Sequence, residues 1–230
     1  MFGLWKGLHF STGPETVTEL PRPRKRPKQS RSAELVRAIR EACLQILDQE
    51  GAERLTTQRI ADVAGVNIAS VYQYFPNKEA VLAEVYENQL AELADQASAE
   101  FRRIWKLSSE SFEGTLRAII AMEAGFLYQL YRMNPDFYQQ YHQALDVRER
   151  VNQRTQAESN PSWADWFSQF LAQHTGQLRT GDRETQAFLA RHTLEGALTA
   201  ALRERPEALG EADFREELLA LLLRYLLPER

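Results

Sequence analysis

The sequence predicts an all-α protein, and three observations carry that reading. Along its 230 residues the apolar positions recur mostly three and four apart, the period of a helix with one buried face. No stretch alternates apolar with polar residues as a half-buried strand does, and no Asn-Gly hairpin signal occurs. From Leu55 to Leu82 the run LTTQRIADVAGVNIASVYQYFPNKEAVL breaks into two short helices around a tight turn and the start of a long third.

Residues 1–30 read as a disordered basic extension, because Pro21, Pro23 and Pro27 interrupt a run of Arg and Lys and keep it from coiling. Phe2, Trp5 and Phe10 either dock somewhere or belong to a mobile tail. The first helix is expected over Ala33 to Gln49, with Leu35, Ile39, Ala42, Cys43, Ile46 and Leu47 as its apolar stripe and Gly51 as its stop. Thr56 or Thr57 can cap the second, which runs to Ala64, where Gly65 supplies the left-handed turn that ends a helix. Val66 packs beneath the turn. Asn67 caps a third helix, Ile68 to Tyr74, whose Val71 and Phe75 share a buried face. Pro76 ends it, since the residue before a proline avoids helix. Asn77 then caps a long helix from Lys78 to about Trp105.

Helices of two turns persist only when packed on longer ones. Residues 31–85 therefore form one compact unit that holds a short helix out for a major groove. Gly51, LTTQRIADVAGV and SVYQYFPNKEAVL together resemble the DNA-binding domain of TetR-type transcriptional regulators over residues 31–85. The rest of the chain is similar only in being long and helical. Ile68-Ala69 departs from the small polar residue and glycine common there, which bears on the bases read and not on the fold. The resemblance implies an N-terminal three-helix helix-turn-helix unit (31–85) and a C-terminal helical domain (86–230) for ligand binding and dimerisation. It implies DNA contacts at Thr57, Gln58, Ser70, Tyr72, Tyr74 and Lys78. The expected partners are a palindromic double-stranded operator, a second copy of the chain and an unidentified small-molecule effector that relieves repression.

The chemistry of the same residues agrees. Ser70 and Tyr72 point away from the Val71/Phe75 face, and Asn67 and Ile68 open the helix end that reaches base edges. Gln73 can pair two-pronged with adenine, and Ile68 or Ala69 can meet a thymine methyl. Thr57, Gln58, Lys78 and the Tyr74 hydroxyl suit phosphate. Asn67 can equally be only a cap, and Tyr72 or Tyr74 only packing. The net charge of −4 is uneven: residues 1–31 carry seven Lys or Arg against two acids. DNA attraction must come from such local patches, and Arg24, Lys25 and Arg26 are the strongest candidates for an arm that meets phosphate or the minor groove.

Beyond a break at residues 108–111, helices are expected from about Glu110 to Asn134, over 136–145, from Val147 to Ala157 (a further helix or the continuation of the one before), and from Trp163 to about Leu178. Thr180-Gly181-Asp182 is a further break, with Asp182 as a cap, and the last two helices span about Arg183 to Arg205 and Glu211 to Leu227. Their apolar faces are wide enough to pair with a second copy as four helices, or to serve an internal core. Leu194, Leu198, Leu202, Leu218, Leu222 and Tyr225 are the expected dimer contacts. A pocket for a lipophilic or aromatic ligand is expected around Phe126, Tyr141, His142, Trp163, Trp166 and Phe170, residues that serve equally well as core.

Other classes find little support. His9, His142, His174 and His192 include no pair at zinc-binding helical spacing, and neither a phosphate-binding glycine loop nor a Gly-x-Ser-x-Gly elbow is present. No metal, cofactor or catalytic residue is expected, so an enzyme is not. Cys43, the single cysteine, lies on the apolar stripe of the first helix and reads as packing. No apolar run is long enough to span a membrane, and Met1 to Phe10 is a poor signal peptide, so a cytoplasmic protein is expected. The alternatives are a DNA-binding activator or partner-recruiting regulator without a small ligand, and a helical interaction module that no longer binds DNA.

Overall fold

The computed structural model describes residues 19–26, 29–146, 149, 150, 153 and 162–228. Among them the chain forms nine α-helices and no strand: α1 Ser30–Gln49, α2 Thr57–Ala64, α3 Ile68–Tyr74, α4 Lys78–Ser108, α5 Phe112–Met133, α6 Pro135–Leu145, α7 Trp163–Gln173, α8 Arg183–Glu204 and α9 Ala212–Leu226. Short 3-10 turns at Ala52–Arg54 and Pro206–Gly210 join α1 to α2 and α8 to α9. The helix expected over Val147 to Ala157 lies almost wholly outside the described residues.

Each boundary in the first third has a local cause. The Gln29 amide donates to Ser32 Oγ (3.2 Å) while the Ser32 hydroxyl donates to the Gln29 carbonyl (2.8 Å), so α1 begins three residues before Ala33. On its buried face Val36 takes the place expected for Leu35, beside Ile39, Ala42, Cys43 and Ile46. Burial pushes the Cys43 thiol up to about 12, consistent with packing. Gly51 (φ 86°) and Gly65 (φ 66°) turn the chain after α1 and α2 through the left-handed region. Thr56, not Thr57, caps α2 by accepting from the Arg59 amide at 3.0 Å. Asn77 caps α4 at Ala80, Ser111 caps α5 at Gly114, and Asn134 caps α6 at Phe137 with Pro135 as the first helical residue.

Two hydrophobic cores lie along α4. The first gathers α1, α2, α3, the first half of α4 and the inner face of α6, with Ile39, Ile46, Ile60, Val71, Phe75, Val81 and Tyr86 buried in it. The second gathers the end of α4 (Phe101, Ile104) with α5, α7, α8 and α9. There the rings stack: Phe112 on Phe170 (5.1 Å), Trp163 on Trp166 (5.2 Å) and Trp166 on Phe170 (5.6 Å). Helix α7 stops at Gln173, short of the expected Leu178. His174 there turns inward between Phe112 and Phe170, its Nε2 2.6 Å from the Ser108 carbonyl oxygen that ends α4.

One residue ties the first core to the junction of α5 and α6. The Tyr86 hydroxyl on α4 lies 3.0 Å from the Leu130 carbonyl and 3.1 Å from that of Asn134, and accepts from the Asn134 amide at 3.1 Å. Its ring stacks on Phe137 at 5.0 Å. That corner is thus fastened to the helix that supports α2 and α3.

Candidate nucleic-acid interface

Helix α3 has one anchored side and one open side. Val71 and Phe75 are fully buried, and Tyr74 stands between them with 9% of its surface exposed. Around the helix the opposite arc carries Ala69, Tyr72 and Gln73, all exposed, with Ile68 and Ser70 half-buried on its flanks. Tyr72 shows 41% of its surface, a high value for an aromatic, and has no partner among the described residues. Asn67 is exposed but occupied, its side chain accepting from the Ala69 amide at 2.8 Å.

The supporting residues surround the ends of α2 and α4. Thr57 is half-buried in the first turn of α2, and Gln58 is exposed and donates to Asp62 Oδ1 at 2.8 Å. Lys78 is half-buried at the start of α4, with Nζ 3.3 Å from the Leu55 carbonyl, so its charge stands near the N-terminus of α2. Tyr74, expected either to offer its hydroxyl to phosphate or to pack, has its ring in the packing position. It stands three residues after Val71 on the same side, and the body of its ring belongs to the core instead of the open face.

Sequence reasoning missed two features here. The first is the seating of the basic arm: the Arg24 amide donates to the Tyr74 carbonyl at 2.7 Å, the Lys25 ammonium stands 4.6 Å above the Tyr74 ring, and Leu20 packs on the first core. So the stretch 19–26 of the expected extension is docked, while residues 1–18, with Phe2, Trp5 and Phe10, and residues 27 and 28 lie outside the described residues. The second is Arg59. It grips Glu50 with two nitrogens (Nη2 to Oε1 2.6 Å, Nε to Oε2 3.0 Å), fastening α2 to the end of α1. The charge pattern alone gave no sign of either, because both depend on contacts between separate segments.

In the C-terminal helices the expected pocket residues do not converge. Phe126 and Tyr141 belong to the first core, Trp163, Trp166 and Phe170 to the second, and His142 is exposed on α6. The reason is that the two ring clusters pack on different stretches of α4, the first on its N-terminal half and the second near Phe101 and Ile104. A groove of about 490 Å³ instead lies along α4, lined by Glu87, Leu90, Ala91, Ala94, Asp95, Arg150 and Gln153, with Arg150 paired to Glu87. The expected dimer contacts lie mostly within the chain's own core. Leu194, Leu198, Leu218 and Leu222 are buried in the chain's own second core, and Leu202 and Tyr225 are half-buried. The large apolar side chains left exposed on α8 and α9 are Phe188 (54%), Leu189 (42%) and Leu221 (52%). Among the described residues no cluster of His, Cys, Asp and Glu is placed to hold a metal ion, and no helix is long and apolar enough to cross a membrane.

Comparison with known proteins bears on both halves. Residues 39–85 match the family model of bacterial regulatory proteins of the tetR family, and residues 115–226 that of the tetracyclin repressor-like C-terminal domain. A search of curated proteins gives no match. Among solved structures, a TetR-family transcriptional regulator from Mesorhizobium loti is 20% identical, with 87% of this chain and 100% of that one covered and a TM-score of 0.50. A TetR-family regulator from Streptomyces coelicolor is 23% identical over 84% of this chain and 96% of that one, with a TM-score of 0.47. The ketosteroid transcriptional regulator of Mycobacterium tuberculosis is 20% identical over 88% of this chain and 98% of that one, with a TM-score of 0.48. At these identities the likeness is one of fold.

Proposed function

This chain belongs to the TetR family of bacterial transcriptional regulators, and on that premise we propose that it is a homodimeric repressor that reads a palindromic operator and is released by a small lipophilic or aromatic ligand. The fold is that of a DNA-binding regulator. The observation that carries the reading is the open arc of α3, where Ala69, Tyr72 and Gln73 are exposed opposite the buried Val71 and Phe75. On this reading residues 31–85 are the reading unit and 86–230 the ligand-binding and dimerisation domain. Gln73 and Ser70 read base edges, Ile68 meets a thymine methyl, and Thr57, Gln58, Tyr72 and Lys78 hold phosphate.

Dimerisation uses the apolar side chains that the second core leaves uncovered. Phe188 and Leu189 on α8 and Leu221 on α9 present such a face, with Tyr225 half-buried beside it. The ligand enters along α4, where the groove volume suits a small molecule and Leu90, Ala91 and Ala94 give it an apolar wall. Tyr86, one turn before Leu90, then relays a shift of α4 to the reading unit, so the bound state no longer matches the half-site spacing.

Selection of bound sequences from random DNA tests the reading. An enriched palindrome with half-sites about one helical turn or more apart supports a dimeric reader. Absence of any enriched motif overturns it. On the selected site Gln73→Ala shifts base preference at one position of each half-site by about 1–3 kcal/mol. Lys78→Ala weakens all sequences alike and flattens the salt dependence. Equal losses across sequences for both variants would sink the assignment of roles.

A further inference from the structure

The docked stretch 19–26 has a pattern that operator reading by α3 does not use. Leu20, Pro21 and Pro23 are half-buried against the body of the protein, while Arg22, Arg24, Lys25 and Arg26 are exposed. An arm that only trailed in solvent would show no such division. Glu19 lies 3.9 Å from Arg22 and offsets part of that charge, so the net positive field comes from Arg24, Lys25 and Arg26. The prolines hold the backbone extended before any partner arrives, which lowers the ordering cost of binding.

The attachment point gives the arm its meaning. Beside the packing of Leu20 on the first core, both polar contacts that seat it fall on Tyr74, the last residue of α3: the Arg24 amide on its carbonyl and the Lys25 ammonium over its ring. The carbonyl is one of those a helix C-terminus leaves unpaired, and the negative ring face attracts the cation. The arm is thereby hung from the recognition helix itself. With α3 in a major groove, a narrow cationic segment leaving its C-terminal end lies beside the adjoining backbone and minor groove, which admits extended basic arms and not helices.

Resting on the DNA-binding reading, we propose that residues 22–26 form a preformed second DNA contact in the minor groove flanking each half-site, and that Tyr74 is the positioning residue that seats this arm. Tyr74 then acts through its ring and its carbonyl instead of through a hydroxyl bond to phosphate. Because the arm moves with α3, reader and arm engage or leave the DNA together.

The test uses the full chain on two duplexes carrying the sequence it enriches from random DNA, one with long flanks and one trimmed to the enriched bases, titrated at several salt concentrations. The triple variant Arg24→Ala, Lys25→Ala, Arg26→Ala is expected to lose about tenfold or more in affinity on the long duplex. Its salt slope should fall by about 2–3 per protomer, since each phosphate charge neutralised contributes about 0.9. On the trimmed duplex the same variant should equal the parent, and on the long duplex hydroxyl-radical cleavage should reappear in the flanking minor groove. Tyr74→Phe, which keeps the ring, should behave as the parent. Tyr74→Leu and Lys25→Ala should each weaken binding, with no further loss when combined. A triple variant with unchanged affinity and slope on the long duplex overturns the arm while leaving the reader intact. A Tyr74→Phe loss equal to that of Tyr74→Leu overturns the positioning role. If the parent chain enriches no sequence, the DNA reading itself fails and the arm fails with it.

Discussion

The two cores that share α4 are closed by different means. Around the first, each short helix has its own punctuation: Thr56, Gly65, Asn67 and Asn77 cap or turn the chain within a few residues of where they act. Around the second, Ser111, Ser162 and Asp182 also cap their helices, but closure draws in addition on rings far apart in sequence, Phe112 on Phe170 and Trp166 on Phe101, and on the His174 ring reaching Ser108. The first arrangement holds α3 in a fixed pose with one face open. The second joins segments distant in sequence through ring contacts, stacked for Phe112 on Phe170 and edge-to-face for Phe101 and Trp166.

The sharpest way to break that comparison is to hollow out both cores. Phe75→Ala and Trp166→Ala each remove a fully buried ring and should each lower unfolding stability by about 3–5 kcal/mol, read by urea denaturation. Their effects on DNA should part. In the folded protein Phe75→Ala frees the back of α3 and weakens binding to DNA, whereas Trp166→Ala leaves affinity close to the parent. Equal loss of affinity in both would mean that the two cores act as one.

Tyr86→Phe probes the fastening of the α5–α6 corner to α4. The ring and its stacking on Phe137 remain, but the buried Asn134 amide loses its acceptor and the Leu130 carbonyl its donor. The expected cost is about 1–3 kcal/mol. If α4 transmits a ligand signal, this variant should also shift DNA affinity without touching the interface. A stability loss with no change in affinity would confine Tyr86 to packing.

Smaller still is Gly65→Ala, which forces an alanine to φ 66° and should cost about 1–2 kcal/mol, measured by thermal unfolding. Its counterpart in the second region is Asp182→Ala, which removes the cap that accepts from the Thr185 amide at 2.7 Å and should cost about 1 kcal/mol. The glycine variant should disturb DNA binding through the turn before α3, and the cap variant should not.

The same contrast explains what was legible in the sequence. Helices α2 and α3 fall where Thr57, Ala64, Ile68 and Tyr74 place them, because caps, glycine and proline act locally. The all-α class and the tetR-type unit were legible for that reason. Which face of α8 and α9 turns inward was not: both carry apolar residues on most of their circumference, so Leu194 and Leu198 were as eligible for a partner as Phe188 and Leu189. Nor was the division of the aromatic residues between two cores, since it depends on which stretch of α4 each later helix packs against. The seat of Lys25 on Tyr74 joins residues some fifty positions apart, beyond the reach of any local pattern.

The mildest test concerns the clamp between α1 and α2. The side-chain hydrogen bonds from Arg59, helped by its charge, hold the Glu50 carboxyl below its ordinary range. A carboxyl whose pKa is lower folded than unfolded stabilises the fold above its unfolded pKa, and that contribution is lost as pH falls through the folded value. Glu50→Gln should therefore lower the urea midpoint slightly at neutral pH, and the gap from the parent should close in acid below the usual carboxylate range. Added salt should narrow the gap at neutral pH, because the pair is exposed and screened. A gap that persists unchanged into strong acid would mean that Glu50 acts through its shape at the end of α1 and not through its charge. The capped first region would then owe its rigidity to the turns alone.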